Sequence, residues 1–168
     1  MEHLLLENSK IHYPVGDNMS YAYNYIDKVA EILLPRLNFN ERVTLWVRGS
    51  SGAILGALLA QKIGLNCMIN HIKKSGENSH TDNCFSTRPG IHIILDDFVS
   101  SGETIESIYN YAKKYIGGQK IDYLIVNSFN SRTIGFQPNY VICNDSFEKI
   151  MQEYSPKIEE LKEIEIEF

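Results

Sequence analysis

Short, largely apolar runs alternate with helical repeats along most of the chain. Val43–Val47, Cys67–Ile72, Ile91–Leu95 and Ile121–Val126 are each five or six residues long and bounded by turn residues. Such runs read as strands buried on both faces of a parallel sheet. A further short strand follows Gly135-Phe136-Gln137-Pro138 and ends near Ile142. Between the strands the period changes to that of a helix. Ala22, Ile26, Val29 and Leu33 share one face of a segment that Ser20 can open and Pro35 limits. Ala53 to Ile63 forms a second helix, with Gly64 where a C-terminal glycine belongs. Ile105, Ile108, Tyr109 and Ala112 mark a third, running from Glu103 to about Tyr115. Strand and helix in alternation predict an α/β fold, with an open, mostly parallel sheet of about five strands and flanking helices. The ends are less regular. Residues 1–19 are turn-rich and read as a hairpin or arm. Phe147, Ile150, Met151 and Tyr154 form a short amphipathic helix, and 164–168 alternate with period two as a terminal strand.

Composition narrows this only slightly. A chain of 168 residues suits a single domain spanning 1–168. Its net charge of −5 argues against a nucleic-acid partner held by bulk positive charge. Cys67, Cys84 and Cys143 are widely spaced, with no Cys-x-x-Cys pair, which fits reduced thiols in a cytoplasmic protein. No apolar run is long enough for a membrane span, and the start of the chain lacks the features of a signal peptide.

The chemistry concentrates in residues 91–104. Here a buried strand ends in Asp96 and Asp97, a small-residue turn of Ser100, Ser101 and Gly102 follows, and Glu103 and Thr104 open a helix. A helix start offers free N–H groups and a partial positive charge to a phosphate. Carboxylates at the C-terminal end of a strand face the crevice where open α/β sheets bind ligands. They can accept hydrogen bonds from a diol or stand beside a hydrated cation. Phosphate, diol and cation within reach of one loop describe a sugar phosphate. A second strand, loop and helix of this kind is built around Arg48, Gly49, Ser50, Ser51 and Gly52. It lacks both the Gly-x-Gly-x-x-Gly fingerprint and the Lys-Ser/Thr of a P-loop, so dinucleotide and nucleoside-triphosphate readings lose ground.

The string Leu-Asp-Asp-Phe-Val-Ser-Ser-Gly-Glu-Thr at 95–104 resembles the phosphoribosyl pyrophosphate (PRPP) signature of type I phosphoribosyltransferases. Arg48 to Gly52 resembles that family's pyrophosphate loop, most nearly in its adenine branch. The resemblance covers a core of about 43–142. It implies a small hood formed by the chain ends, from about 1–40 and 143–168, and a homodimer. It also implies a reaction in which a nucleobase displaces pyrophosphate from PRPP with Mg²⁺ present. Asp96 and Asp97 would hold the ribose hydroxyls and support the metal. Ser100, Ser101, Gly102, Glu103 and Thr104 would anchor the 5′-phosphate, and Arg48 to Gly52 would grip pyrophosphate.

The polar tract after Ile72 opens with Lys73 and Lys74 and resembles the catalytic loop of the orotate and adenine branches, where such a pair neutralises the leaving group. The orotate branch has a further lysine where this chain has Glu77. The segment after Val126, with Phe129 and Arg132 as candidate base contacts, resembles the hypoxanthine-guanine branch. Ser128 stands where that branch has a lysine, and Ser100 where it has an aspartate. A purine is the preferred base, while Arg132 paired with a carboxylate would suit orotate. The competing function is a non-catalytic PRPP- or nucleotide-binding regulator on the same fold.

Overall fold

The computed structural model describes residues 2–5, 19–72, 89–99, 102–129 and 134–143. In chain order the elements are β1 (Glu2–Leu5), α1 (Met19–Leu33), a 3₁₀ turn (Leu34–Arg36), β2 (Val43–Arg48), α2 (Gly49–Ile63) and β3 (Cys67–Ile72). Then follow β4 (Ile91–Leu95), β5 (Phe98–Val99), α3 (Glu103–Ala112), β6 (Tyr123–Ile125), β7 (Ser128–Phe129) and β8 (Tyr140–Cys143). Six strands form one sheet in the order β1-β8-β6-β4-β2-β3, every neighbouring pair parallel. From β2 the chain steps outward to β3. It then crosses back to β4 and continues the other way to β6 and β8. The direction of winding therefore reverses between β2 and β4. In open parallel sheets a crevice forms at such a point, outside the carboxyl ends of the two strands.

Alternation along each strand divides the core into two layers. Leu45 and Val47, Ile93 and Leu95, Tyr123 and Ile125, and Ile142 pack with Ala22, Tyr25, Ile26, Val29 and Leu33 of α1 and Leu55 and Leu59 of α2. Trp46, Ile94, Leu124, Val141 and Cys143 turn to the opposite face and meet Ile105, Ile108, Tyr111 and Ala112 of α3. On that face the Trp46 indole donates to Nδ1 of buried His92 at 3.4 Å, which requires a neutral ring. Burial itself pushes the His92 pKa down, in agreement.

Helix α2 lies close against the sheet because two of its glycines face it. A Cβ built on Gly56 would stand 3.0 Å from Cγ1 of Val47, and one on Gly52 would stand 3.4 Å from Cβ of Val47. The glycine expected beyond α2 is present, Gly64 having φ +95° and its N–H bonded to the Ala60 carbonyl. Pro35 lies in the 3₁₀ turn that ends α1, as its ring requires.

Three expectations are corrected. The sheet has six strands because Glu2–Leu5, read as part of an arm, pairs with β8 from Glu2↔Tyr140 to Leu5↔Cys143. Four residues are too few to show a period, but Leu4 is buried and β8 offers an open edge. Helix α1, assigned to a hood over residues 1–40, is instead part of the helical layer, its apolar stripe closed against α2 and the sheet. The run Gly49–Gly52, read as a loop before a helix at Ala53, is already the first turn of α2. One left-handed residue, Gly49 with φ +71°, turns the strand directly into the helix. The expected short helix after Ser146 and the strand at 164–168 lie outside the described residues. No helix among the described residues is long and apolar enough to cross a membrane.

Candidate active site

Asp96 and Asp97 and the Arg48–Gly52 turn stand at the carboxyl ends of β4 and β2, beside the crevice between them. Asp96 and Asp97 follow the last residue of β4 and are 5% and 8% exposed. Their backbone is fixed by neighbouring chain: Asp96 N–H donates to the Ile125 carbonyl at 3.0 Å, and the Asp97 carbonyl accepts from Asn127 N–H at 3.0 Å. Asp97 N–H in turn donates to Oδ1 of Asp96 at 3.0 Å. Two carboxyl groups so close and so dry cannot both ionise cheaply. Burial first, and then the Asp97 charge, push the Asp96 pKa up to about 7, with Arg48 pulling the other way. Oδ2 of Asp97 is buried with no hydrogen-bond partner among the described residues. An unmet buried acceptor costs about 1–3 kcal/mol, so the pair is built to receive a donor or a cation.

Two helix starts border this pair, one on each face of the sheet. Arg48 is extended (φ −140°, ψ 148°), Gly49 turns the chain, and the N–H groups of Ser50, Ser51 and Gly52 belong to the first turn of α2. With Arg48 as the N-cap, the Ser50 and Ser51 N–H groups have no intrahelical acceptor, whereas that of Gly52 pairs with the Arg48 carbonyl. The α2 start also approaches β4, since a Cβ on Gly52 would lie 3.6 Å from the Leu95 carbonyl oxygen. Gly102 caps α3 with φ +80° and accepts from Glu106 N–H at 2.9 Å. A Cβ would meet nothing at Gly49 or Gly102, so backbone conformation alone demands glycine there. Glu103 and Thr104 are exposed on the first turn of α3.

A small second sheet ties this region to the candidate base contacts. β5 pairs in parallel with β7, Phe98↔Ser128 and Val99↔Phe129. Phe129 is thereby placed on the strand beside the segment that follows the acids. Arg132, Ser100, Ser101, Lys73 and Lys74 lie outside the described residues.

One residue near the site is not marked by the sequence, and another, Tyr25, reads there as amphipathic packing together with Tyr21 and Tyr23. His71, at the end of β3, has Nε2 3.1 Å from the carbonyl oxygen of Gly49. Tyr25 of α1 is 1% exposed, with a hydroxyl that has no partner among the described residues. Burial, with Cys143, Asp97 and Asp96 nearby, raises its pKa well above that of an ordinary tyrosine. Its neighbours Tyr21 and Tyr23 are exposed, so of the three only Tyr25 packs in the core. The signal for Tyr25 was its place on the apolar face with Ala22, Ile26 and Val29.

No cluster of three or more His, Cys, Asp or Glu side chains suited to a metal occurs among the described residues. A pair of carboxylates with an unmet oxygen does fit Mg²⁺, which is commonly held by one or two carboxylates together with substrate phosphates.

No family model matches the sequence, and no curated protein is significantly similar to it. Among solved structures, the crystal structure of purine phosphoribosyltransferase from Pyrococcus horikoshii Ot3 superposes with a TM-score of 0.52 at 16% identity, covering 87% of this chain and 90% of that one. The chain therefore has a phosphoribosyltransferase-like fold.

Proposed function

We propose that this protein is a PRPP-dependent phosphoribosyltransferase that joins a nucleobase, a purine before orotate, to ribose 5-phosphate and releases pyrophosphate. The observation that carries the reading is the buried Asp96–Asp97 pair, set at the point of reversed winding between two glycine-turned helix starts. The order of the parts, helix start, acid pair and helix start, suits one ligand with an anion at each end and hydroxyls between. The carboxylates accept from the ribose hydroxyls, the α3 start takes the 5′-phosphate, and the α2 start takes the diphosphate. Asp96 and Asp97 would also hold Mg²⁺, which supplies charge neutralisation to the diphosphate when bound. The preference for a purine rests on the adenine-like Arg48–Gly52 string and on the purine enzyme that shares the fold.

In the reaction a base nitrogen bonds to C1 of the ribose as the bond from C1 to the pyrophosphate oxygen breaks. The electron pair leaves with pyrophosphate, and the nitrogen's proton is lost to solvent. No covalent enzyme intermediate is needed. Rate enhancement comes from holding the reactants in line and from N–H groups already aimed at the departing charge. Lys73 and Lys74 add positive charge to the same oxygens.

Pyrophosphate release from PRPP and Mg²⁺ should therefore rise when a purine is added and stay at the base-free level with orotate. The expected assay covers adenine, hypoxanthine, guanine and orotate in parallel. PRPP bound tightly but consumed with none of them would instead support the regulator reading, which the glutamate at position 77 favours.

A further inference from the structure

The acid pair has an inner side that neither sequence motif serves. Oδ2 of Asp97 is turned away from solvent and has no hydrogen-bond partner among the described residues. A buried acceptor without a donor is costly, so a bond to that oxygen has to come from within the fold. Among the described residues three buried donors lack a partner of their own: the Tyr25 hydroxyl, Nδ2 of Asn70 and Nε2 of His92. Two of them stand too far off. Asn70 belongs to β3, and β2 lies between that strand and β4. His92 lies near the amino end of β4, about 13 Å from Asp96 at the rise of an extended strand.

Tyr25 is the third. It packs in the layer that also holds Leu95, the residue before Asp96, and Ile142, the residue before Cys143. Helix α1 leads through the 3₁₀ turn to the amino end of β2, so it runs against the strands. Side chains lean toward the N-terminus of their helix, and Tyr25 therefore points to the carboxyl ends, where the pair stands. Besides burial, the charges of Cys143, Asp97 and Asp96 act on the phenol, as they do only if its hydroxyl shares their buried space. A phenylalanine would fill this apolar layer without an unmet hydroxyl, so packing alone does not account for a tyrosine.

Resting on the function proposed above, we propose that Tyr25 is a positioning residue for Asp97: on sugar binding its hydroxyl donates to Oδ2, directly or through one water, and leaves the other oxygen to the ribose hydroxyls. The test uses the full-length protein, calorimetric titration with PRPP and Mg²⁺ and, separately, with inorganic pyrophosphate, and tyrosine ring ¹³C signals by NMR. The Tyr25 signal is the one missing from Tyr25→Phe. In wild type it should shift when PRPP is added and stay in place with pyrophosphate, which has no sugar. Tyr25→Phe should bind PRPP about five- to tenfold more weakly, the loss expected for one hydrogen bond, and pyrophosphate as wild type does. Its melting temperature should not fall, because the hydroxyl it loses has no partner among the described residues. Equal PRPP affinity in the two proteins would overturn the inference and leave the function standing. An equal loss of affinity for both ligands would do the same, since it marks a general effect on packing. Wild type that binds neither PRPP nor pyrophosphate would remove both.

Discussion

Asp96→Asn is expected to raise the melting temperature of the free protein near pH 8 by about 4–8 °C, while weakening PRPP binding about a hundredfold. The two effects share one cause. Burial and the neighbouring carboxylate raise the Asp96 pKa to about 7. From about pH 4 to about pH 7 the folded protein thus keeps a proton that the unfolded chain has released. Folded-state stability falls as pH rises through that window, and above it the full penalty of the charged pair is present. Asparagine removes the charge and keeps Oδ1, which accepts the Asp97 N–H. The gain is about 2 kcal/mol above pH 7 and should close toward pH 4. The affinity falls because a neutral amide is a weaker acceptor for sugar hydroxyls and a poor ligand for a divalent cation. Urea denaturation across this pH range, with PRPP titration at its upper end, checks both halves. A variant no more stable than wild type at the high end would show that the pair is not strained in the free protein.

Gly56→Val should lower stability by about 2–3 kcal/mol and the melting temperature by about 5–10 °C. Helix propensity alone predicts the reverse, since replacing an interior glycine favours the helix by up to about 1 kcal/mol. Packing decides against it. The first atom added at position 56 would already stand 3.0 Å from Cγ1 of Val47, a side chain that is fully buried. With no room in the layer, α2 has to lift, and the Gly49 turn goes with it, so pyrophosphate affinity should fall in parallel. Adding Val47→Ala makes space at the point of contact. The double variant should then recover more stability than the sum of the single changes allows. Thermal melts of the four proteins in the cycle measure this directly, and strict additivity would mean that the contact with Val47 is not what α2 rests on.

Much of this architecture was readable from the residues, for identifiable reasons. Val43–Val47 and Ile91–Leu95 are mostly apolar on both faces, each with one buried polar residue, Thr44 and His92. Helices cover both faces of the sheet, so nearly continuous runs marked them as central strands. Ile105, Ile108 and Ala112 repeat with the helical period because α3 buries only one side. The acid pair and the Gly102 turn were legible because their chemistry is local: strand end, carboxylates, glycine and helix start lie within a dozen residues. What was hidden depends on long-range placement. β1 earns its place in the sheet only because β8, far along the chain, leaves an edge open. His71 reaches Gly49 across 22 positions, and nothing in the sequence around either residue announces the contact. The Arg48–Gly52 string read as a loop because glycine and serine dominate it. A single positive φ at Gly49 is enough to turn the chain, after which serine and glycine are at ease in a first helical turn. The charge state of Asp96 was invisible for a similar reason, since it follows from burial.

The most direct measurement is a calorimetric titration of PRPP with Mg²⁺ into wild type and into the Asp96→Asn, Asp97→Asn double variant. Saturable binding by wild type and its loss in a double variant that still melts cooperatively are the predicted results. No binding by wild type, or equal affinity in the two proteins, would contradict a site built around these carboxylates.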